Sequence, residues 1–262
     1  MKLNISTVLL SLVALVALLQ AAMAADVILT NGLLTSTLTP AGGKITISES
    51  NGNDTKTFVL QTKLMTEMAK NTAVKSVSSF IRETFLATDP IDETYQGIKA
   101  STATIFMDIP MDGSSANATS VLSLSIKVSV FQEEGYVKLG SRKFAVDTGK
   151  LAITYTILDW PFDSYDNTLV VRTSIETPSA GGSMSGSELF LFNGASWTFA
   201  PTAAIPAPYD SSPVTVKSSN TDSGIDTNMQ FYATSSITYD TLWSVETATS
   251  GATRLTSFLA FF

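Results

Sequence analysis

A strict two-residue alternation of apolar and polar side chains runs through residues 121–130. Its apolar members are Leu122, Leu124, Ile126, Val128 and Val130, and serines and one lysine lie between them. Because successive side chains of an extended chain point to opposite faces, the pattern predicts a strand with one buried and one solvated face. Residues 151–157 and 169–175 repeat the pattern, so we predict three antiparallel strands on one sheet.

Shorter β-type runs, separated by turn signals, cover the rest of the chain. Asn31-Gly32 is a strong hairpin signal because both residue types tolerate positive φ. Residues 74–86 and 98–109 have the composition of longer strands. Residues 60–71 fit either an amphipathic helix or a strand, since the segment is marginal in length for a lone helix. We therefore predict an all-β fold: an antiparallel β-sandwich with Greek-key or meander connections and little helix.

The two ends of the chain carry the signals for domain organisation. Residues 1–24 have the features of a secretory signal peptide: Lys2, an apolar run from 8 to 19, and the small-residue site Ala22-Met23-Ala24. A membrane anchor is the alternative, but that run is shorter than the roughly 20 residues that span a bilayer. We predict one mature β-sandwich domain, 25–262, with no membrane span. A smaller second sandwich after residue 187 remains an alternative.

Composition excludes several classes of function. The chain has no cysteine and no histidine, which removes disulfides, thiolate nucleophiles, catalytic Ser-His-Asp sets and most zinc sites. Its net charge of −7 argues against nucleic acid as a partner, because phosphates require clusters of Lys and Arg. Only 15% of the residues are charged, and serine and threonine occupy many solvent-facing strand positions.

One acidic loop is a candidate calcium site. Asp159, Asp163, Asp166 and Asn167 follow the strand predicted at 151–157. Ca²⁺ binds six to eight oxygen ligands, which an irregular loop of this composition can supply. The spacing matches no EF-hand, and acidic residues are common in turns. We predict no other cofactor.

The same loop is a candidate aromatic binding patch. Trp160, Phe162 and Tyr165 lie within six residues of one another. Exposed aromatic faces stack on sugars or on partner proteins. The alternative, which we favour, is that Trp160 and Phe162 close the end of the sandwich where the chain crosses between sheets.

Asn53 and Asn117 begin the sequons Asn53-Asp54-Thr55 and Asn117-Ala118-Thr119. Both are candidate N-glycosylation sites in turn-like contexts, which agrees with export.

Two short triplets bear on catalysis. Asp147-Thr148-Gly149 resembles the active-site triplet of aspartic proteases, and Asp222-Ser223-Gly224 is a second near-match. The flanking residues do not fit that family, since Lys150 follows the first triplet. We favour a hairpin turn at 147–149, with glycine in positive φ.

These observations predict a secreted or cell-surface protein without enzymatic activity, which binds, adheres or assembles. Its partner would be an extracellular protein or glycan, or a second copy of the chain, because sparse charge protects strand edges poorly. Two alternatives remain: a secreted hydrolase that uses carboxylates on glycans or peptides, and an outer-membrane β-barrel.

Overall fold

The computed structural model describes residues 25–51, 54–111, 121–177, 182–186, 188–192, 194–222 and 224–245. These residues form β-strands and one short 3₁₀ turn, Ser79–Ile81, and none of them forms a helix that is long and apolar enough to cross a membrane. In chain order the strands are β1 (Val27–Thr30), β2 (Leu34–Thr39), β3 (Lys44–Asn51), β4 (Asp54–Ala69), β5 (Thr72–Val77), β6 (Leu86–Ala87), β7 (Ile91–Tyr95), β8 (Ile98–Pro110), β9 (Val121–Phe131), β10 (Gly135–Leu139), β11 (Arg142–Val146), β12 (Lys150–Leu158), β13 (Thr168–Glu176), β14 (Gly182–Ser185), β15 (Leu189–Phe192), β16 (Ala195–Phe199), β17 (Thr202–Ala204), β18 (Ser211–Pro213), β19 (Thr215–Thr221), β20 (Gly224–Tyr232) and β21 (Ser236–Val245).

The strands form two large antiparallel sheets and a separate hairpin. The smaller sheet has the order β1-β2-β3-β4-β13-β20-β19, with β5 also paired to β4. The larger sheet has the order β14-β15-β16-β21-β12-β9-β8-β6, with β7, β17 and β18 added at its margins, and β10 pairs with β11 alone. The prediction of an antiparallel all-β fold is therefore confirmed.

The two sheets pack face to face through their apolar sides. The alternating residues of β9 are buried on one side, as the two-residue pattern predicts. Aromatic rings join the sheets: Phe58 of β4 lies 5.1 Å from Trp243 of β21, and Phe231 of β20 lies 5.2 Å from Tyr239. The result is one continuous apolar core between two layers.

The three alternating runs do not lie on one sheet, so that prediction is wrong. β9 and β12 pair in the larger sheet, whereas β13 pairs with β4 and β20 in the smaller one. Alternation shows that a strand has a buried face, but both sheets of a sandwich bury one. The pattern therefore could not tell which sheet a strand joins.

The structure decides between the two alternatives for residues 60–71 and corrects the prediction for residues 74–86. Residues 60–69 are strand, because they belong to the 16-residue β4, which pairs on both sides, and residues 70 and 71 form the turn to β5. The single strand predicted over 74–86 is wrong: β5 ends at Val77, the 3₁₀ turn follows, and β6 begins at Leu86.

The structure confirms the turn predicted at Asn31-Gly32 but not the hairpin predicted at 147–149. Asn31-Gly32 does join β1 to β2, and Gly32 has φ +92°. Residues 147–149 form a turn, closed by the Lys150 N–H on the Asp147 carbonyl, but not a hairpin, because β11 pairs with β10 and not with β12. Gly149 is also not among the described glycines with positive φ.

The strands after residue 187 extend both large sheets. β20 pairs with β13 in the smaller sheet, and β21 lies between β16 and β12 in the larger one. The described residues beyond 187 thus do not build a second sandwich of their own.

A row of buried threonines interrupts the apolar inner face of the smaller sheet. Thr62, Thr173 and Thr227 lie opposite one another on β4, β13 and β20, and each is at most 2% exposed. The hydroxyl of Thr227 has no hydrogen-bond partner among the described residues. Thr241 of β21 is equally buried, but its hydroxyl donates to the Ile153 carbonyl at 3.1 Å.

This difference predicts opposite effects of one substitution. Thr227→Val removes an unpaired buried hydroxyl, so we expect the free energy of unfolding to rise by about 1 kcal/mol. Thr241→Val removes a made hydrogen bond, so we expect a loss of about 1 kcal/mol. Urea denaturation of both variants measures this, and equal losses in the two would contradict it.

Candidate functional site: the crossover end of the sandwich

One loop carries the chain from the larger sheet to the smaller one. We call residues 159–167, between β12 and β13, the crossover loop. Asp159 has φ +58°, a conformation that aspartate tolerates better than most residues, and it turns the chain at the end of β12. Its N–H donates to the Ser235 carbonyl at 2.8 Å, which ties the loop to the β20–β21 connection.

A buried carboxylate anchors the crossover loop. Glu67 of β4 points between the sheets and its side chain is 0% exposed. Its Oε1 accepts hydrogen bonds from the Asn167 side-chain amide at 2.6 Å and from the Asp163 N–H at 2.8 Å. Its Oε2 accepts one from the Trp160 indole N–H at 3.2 Å. Three groups of the loop therefore bond to one side chain.

Lys75 completes the anchor from the adjacent strand. It lies directly opposite Glu67 in the β4–β5 pairing, with its Nζ 3.5 Å from Glu67 Oε2. The same ammonium is 2.6 Å from Asp163 Oδ1 and donates to the Pro161 carbonyl. Burial alone raises the pKa of Glu67, but the hydrogen bonds from Asn167, Asp163 and Trp160, with the charge of Lys75, outweigh it and lower that pKa.

The structure gives two of the calcium candidates other partners. Asp163 pairs with Lys75, and the Asn167 amide bonds to Glu67. Asp159 and Asp166 are exposed. Within the described part of the chain, no three acidic side chains form a group that suits a metal ion. Calcium binding by these four residues stays a prediction, and the geometry around Glu67 explains two of them without it.

The three aromatic candidates do not form one exposed patch. Trp160 is only 4% exposed, and Phe162 is half-buried and packs on the core. Their ring centroids are 6.4 Å apart, so together they close the end of the sandwich, as the alternative interpretation predicts. Only Tyr165 projects from the loop, with 87% of its surface exposed.

Two further exposed tyrosines lie at the same end. Tyr232 ends β20 directly opposite Thr168, the first residue of β13, and is 59% exposed. Tyr209 is 77% exposed in the loop between β17 and β18. Because Ala204 pairs with Thr238 of β21, that loop reaches the level where β12 ends and β21 begins. We call Tyr165, Tyr209 and Tyr232 the tyrosine set.

Several of these residues were missed by sequence reasoning. Glu67 lies 93 to 100 residues before its partners in the crossover loop, and Lys75 lies 86 to 88 residues before its own, so no local spacing could have linked them. The available signal was a glutamate at a position where the alternation of the strand predicts a buried side chain. Tyr209 lies in the loop between β17 and β18, and only its exposure in the structure distinguishes it.

The remaining sequence candidates lie elsewhere or outside the described residues. Asp147 accepts the Gly149 N–H at 2.8 Å within its own turn, and Asp222 lies in the β19–β20 turn, so the two carboxylates belong to separate turns. Residues 1–24, Asn53, Asn117 and Ser223 are outside the described ranges.

Comparison with known proteins adds no family. No protein-family model matches the chain, and no curated protein matches it significantly. A functional interpretation therefore rests on the sequence and the geometry of this chain.

The Glu67 anchor predicts a large effect of a small change. In Glu67→Gln, the amide nitrogen would face the Trp160 N–H and Lys75, which are donors too. We expect a loss of about 1–3 kcal/mol in the free energy of unfolding, because a buried donor is left unpaired. Glu176→Gln, at an exposed position at the end of β13, is the matched control and should stay within about 0.5 kcal/mol of wild type.

The same anchor predicts a pH dependence. A carboxylate whose pKa is lowered on folding stabilises the protein above its unfolded pKa of 4.5, and that stability is lost as the pH falls through the folded pKa. The stability difference between wild type and Glu67→Gln should therefore shrink as the pH falls below about 4.5. A difference that stays constant between pH 7 and pH 3 would contradict a charged Glu67.

Proposed function

We propose that the protein is a secreted or cell-surface binding protein without enzymatic activity. We further propose that its partner contacts the end of the sandwich that carries the crossover loop and the tyrosine set, which we call the crossover end. The observation that carries the proposal is the combination of an anchored loop with three exposed tyrosines at one end of a sandwich. The partner is an extracellular protein or glycan, or a second copy of the chain.

The chemistry of tyrosine supports a binding role. A tyrosine ring offers a large contact area and a polar tip, and only two side-chain torsions must be ordered when it is buried. Loops at the ends of a β-sandwich carry recognition in many proteins, because the sheets hold them while their sequences vary. The Glu67 bonds hold the crossover loop before a partner arrives, so less ordering entropy is lost on binding.

The buried carboxylate argues against the hydrolase alternative at this end. Glycoside hydrolysis by this route requires two carboxyl groups that both meet the substrate. Here Glu67 and Asp163 share Lys75, but Glu67 has no exposed surface and is committed to three hydrogen bonds. The absence of histidine from the chain also removes the commonest near-neutral acid–base group.

Export is the first testable part of the proposal. When the full chain is produced in a host with a secretory pathway, we expect protein in the medium whose N-terminus is Ala25, because Ala22-Met23-Ala24 fits the cleavage rule. N-terminal sequencing and mass spectrometry of the secreted material measure this. Protein that stays in the cells with residues 1–24 intact would contradict export and favour an anchor.

The tyrosine set is the second testable part. We would label the purified protein and probe an array that carries glycans, extracellular protein domains and the protein itself. For any spot that binds, we expect Tyr165→Ala or Tyr209→Ala to weaken binding about tenfold, a loss of about 1.4 kcal/mol. Tyr136→Ala is the matched control, because Tyr136 is as exposed as Tyr232 but belongs to the β10–β11 hairpin.

Two outcomes would count against the proposal. If every ligand on the array bound Tyr165→Ala, Tyr209→Ala and the Tyr136→Ala control equally well, the crossover end would not be the binding surface. If the protein instead released products from glycans or peptides on the array, the non-enzymatic assignment would be wrong.

A further inference from the structure

The outer face of the larger sheet holds a groove that is separate from the crossover end. Its volume is about 340 Å³. It forms because β6 and β7 pair in turn with the same side of β8, at Ile105–Phe106 and at Ile98–Thr102. The chain leaves the sheet between them at Asp89-Pro90, and the gap opens onto the solvent-facing side.

Hydroxyl groups form the floor and one wall of the groove. Thr102 and Thr104 of β8 lie on the outer side of the sheet beside Lys127 of β9, as the strand register shows. Thr102 is only 2% exposed, and its hydroxyl donates to the Ser129 hydroxyl at 3.1 Å. Thr88 covers the gap, since its N–H donates to the Thr104 carbonyl at 2.9 Å and its hydroxyl accepts the Thr104 N–H at 3.0 Å. These backbone and side-chain bonds hold the groove in shape.

Charged and apolar groups complete the lining. The ammonium of Lys127 lies 2.5 Å from Glu93 Oε1, and about a third of each of these side chains is exposed. Asp89 adds a second carboxylate, and Ile91, which is 55% exposed, adds an apolar wall. The groove therefore presents two carboxylates, one ammonium that is paired with Glu93, and a hydrocarbon surface.

This polar row continues across the sheet. Lys127 lies opposite Thr154 of β12, which lies opposite Asp240 of β21, and the Thr154 hydroxyl is 2.6 Å from Asp240 Oδ1. A ligand longer than the groove would thus meet further donors and acceptors along the face.

The balance of charge selects the ligand class. Phosphate or another anion would meet two carboxylates and a lysine that is already paired, so it is disfavoured. A purely apolar ligand would strip water from Glu93 and Asp89 without replacing their hydrogen bonds. A neutral sugar supplies hydroxyls for the polar groups and a C–H face for Ile91.

We infer that the groove lined by Thr88, Ile91, Glu93, Thr102, Thr104 and Lys127 binds a neutral sugar, one or two rings of a glycan. Its volume is near the lower limit of about 300–1,000 Å³ for small-molecule sites, which suits a ligand of that size. The site is independent of the tyrosine set and of the proposed partner at the crossover end.

Titration of the purified protein with a panel of neutral mono- and disaccharides tests the inference. In ¹H–¹⁵N spectra, we expect saturable shifts of the amides of Thr102, Thr104 and Lys127 with at least one sugar. Glu93→Gln keeps the shape of the side chain but removes its charge, and it should weaken binding about tenfold. Ile91→Ser, at an exposed position, should weaken binding several-fold without touching the ion pair.

Control variants and probes separate this site from the others. Glu188→Gln breaks a different ion pair, with Arg142, and should leave sugar binding unchanged. Tyr165→Ala should also leave it unchanged, so failure here and failure at the crossover end are distinguishable. No saturable shift with any sugar, shifts that survive Glu93→Gln and Ile91→Ser, or a stronger response to inorganic phosphate would each overturn the inference.

Discussion

Aromatic contacts between the sheets hold this sandwich together. Phe58 contacts both Phe192 and Trp243, so a single side chain of β4 joins two strands of the opposite sheet. Such ring pairs bury large areas and add edge-to-face attraction beyond the area itself. Because both sheets bury one face in this way, most polar side chains other than the buried threonine row lie on the outer faces, the edges and the ends.

Glu67 fixes the crossover loop at the end of the sandwich. Where the inner faces run out, a carboxylate replaces the apolar side chains, and the crossover loop supplies its donors. A buried carboxylate is tolerated only when hydrogen bonds and an opposite charge compensate for its lost hydration. Here three hydrogen bonds and the ammonium of Lys75 do so. The loop is thereby ordered by the core and presents Tyr165 to solvent.

The fold class could be predicted from the sequence, because alternation and turn signals are local. The pattern in β9 and the Asn31-Gly32 turn are confirmed. The assignment of β13 to a sheet could not be predicted, since residues 151–157 and 169–175 have the same pattern on different sheets. Only part of the site could be predicted from the sequence. The burial of Trp160 at the end of the sandwich was one of the two interpretations of the loop. Its partner Glu67 could not be predicted, because it lies on a strand that is distant in sequence from the loop.

The Glu67 anchor has a consequence for motion. β4, β5 and the crossover loop are joined by the carboxylate of Glu67 and the ammonium of Lys75. If any one of these segments moved away, a buried charge or a hydrogen-bond donor of the other two would lose its partner. Opening of this corner is therefore a cooperative event that involves all three segments at once, rather than independent fraying of an edge strand and a loop.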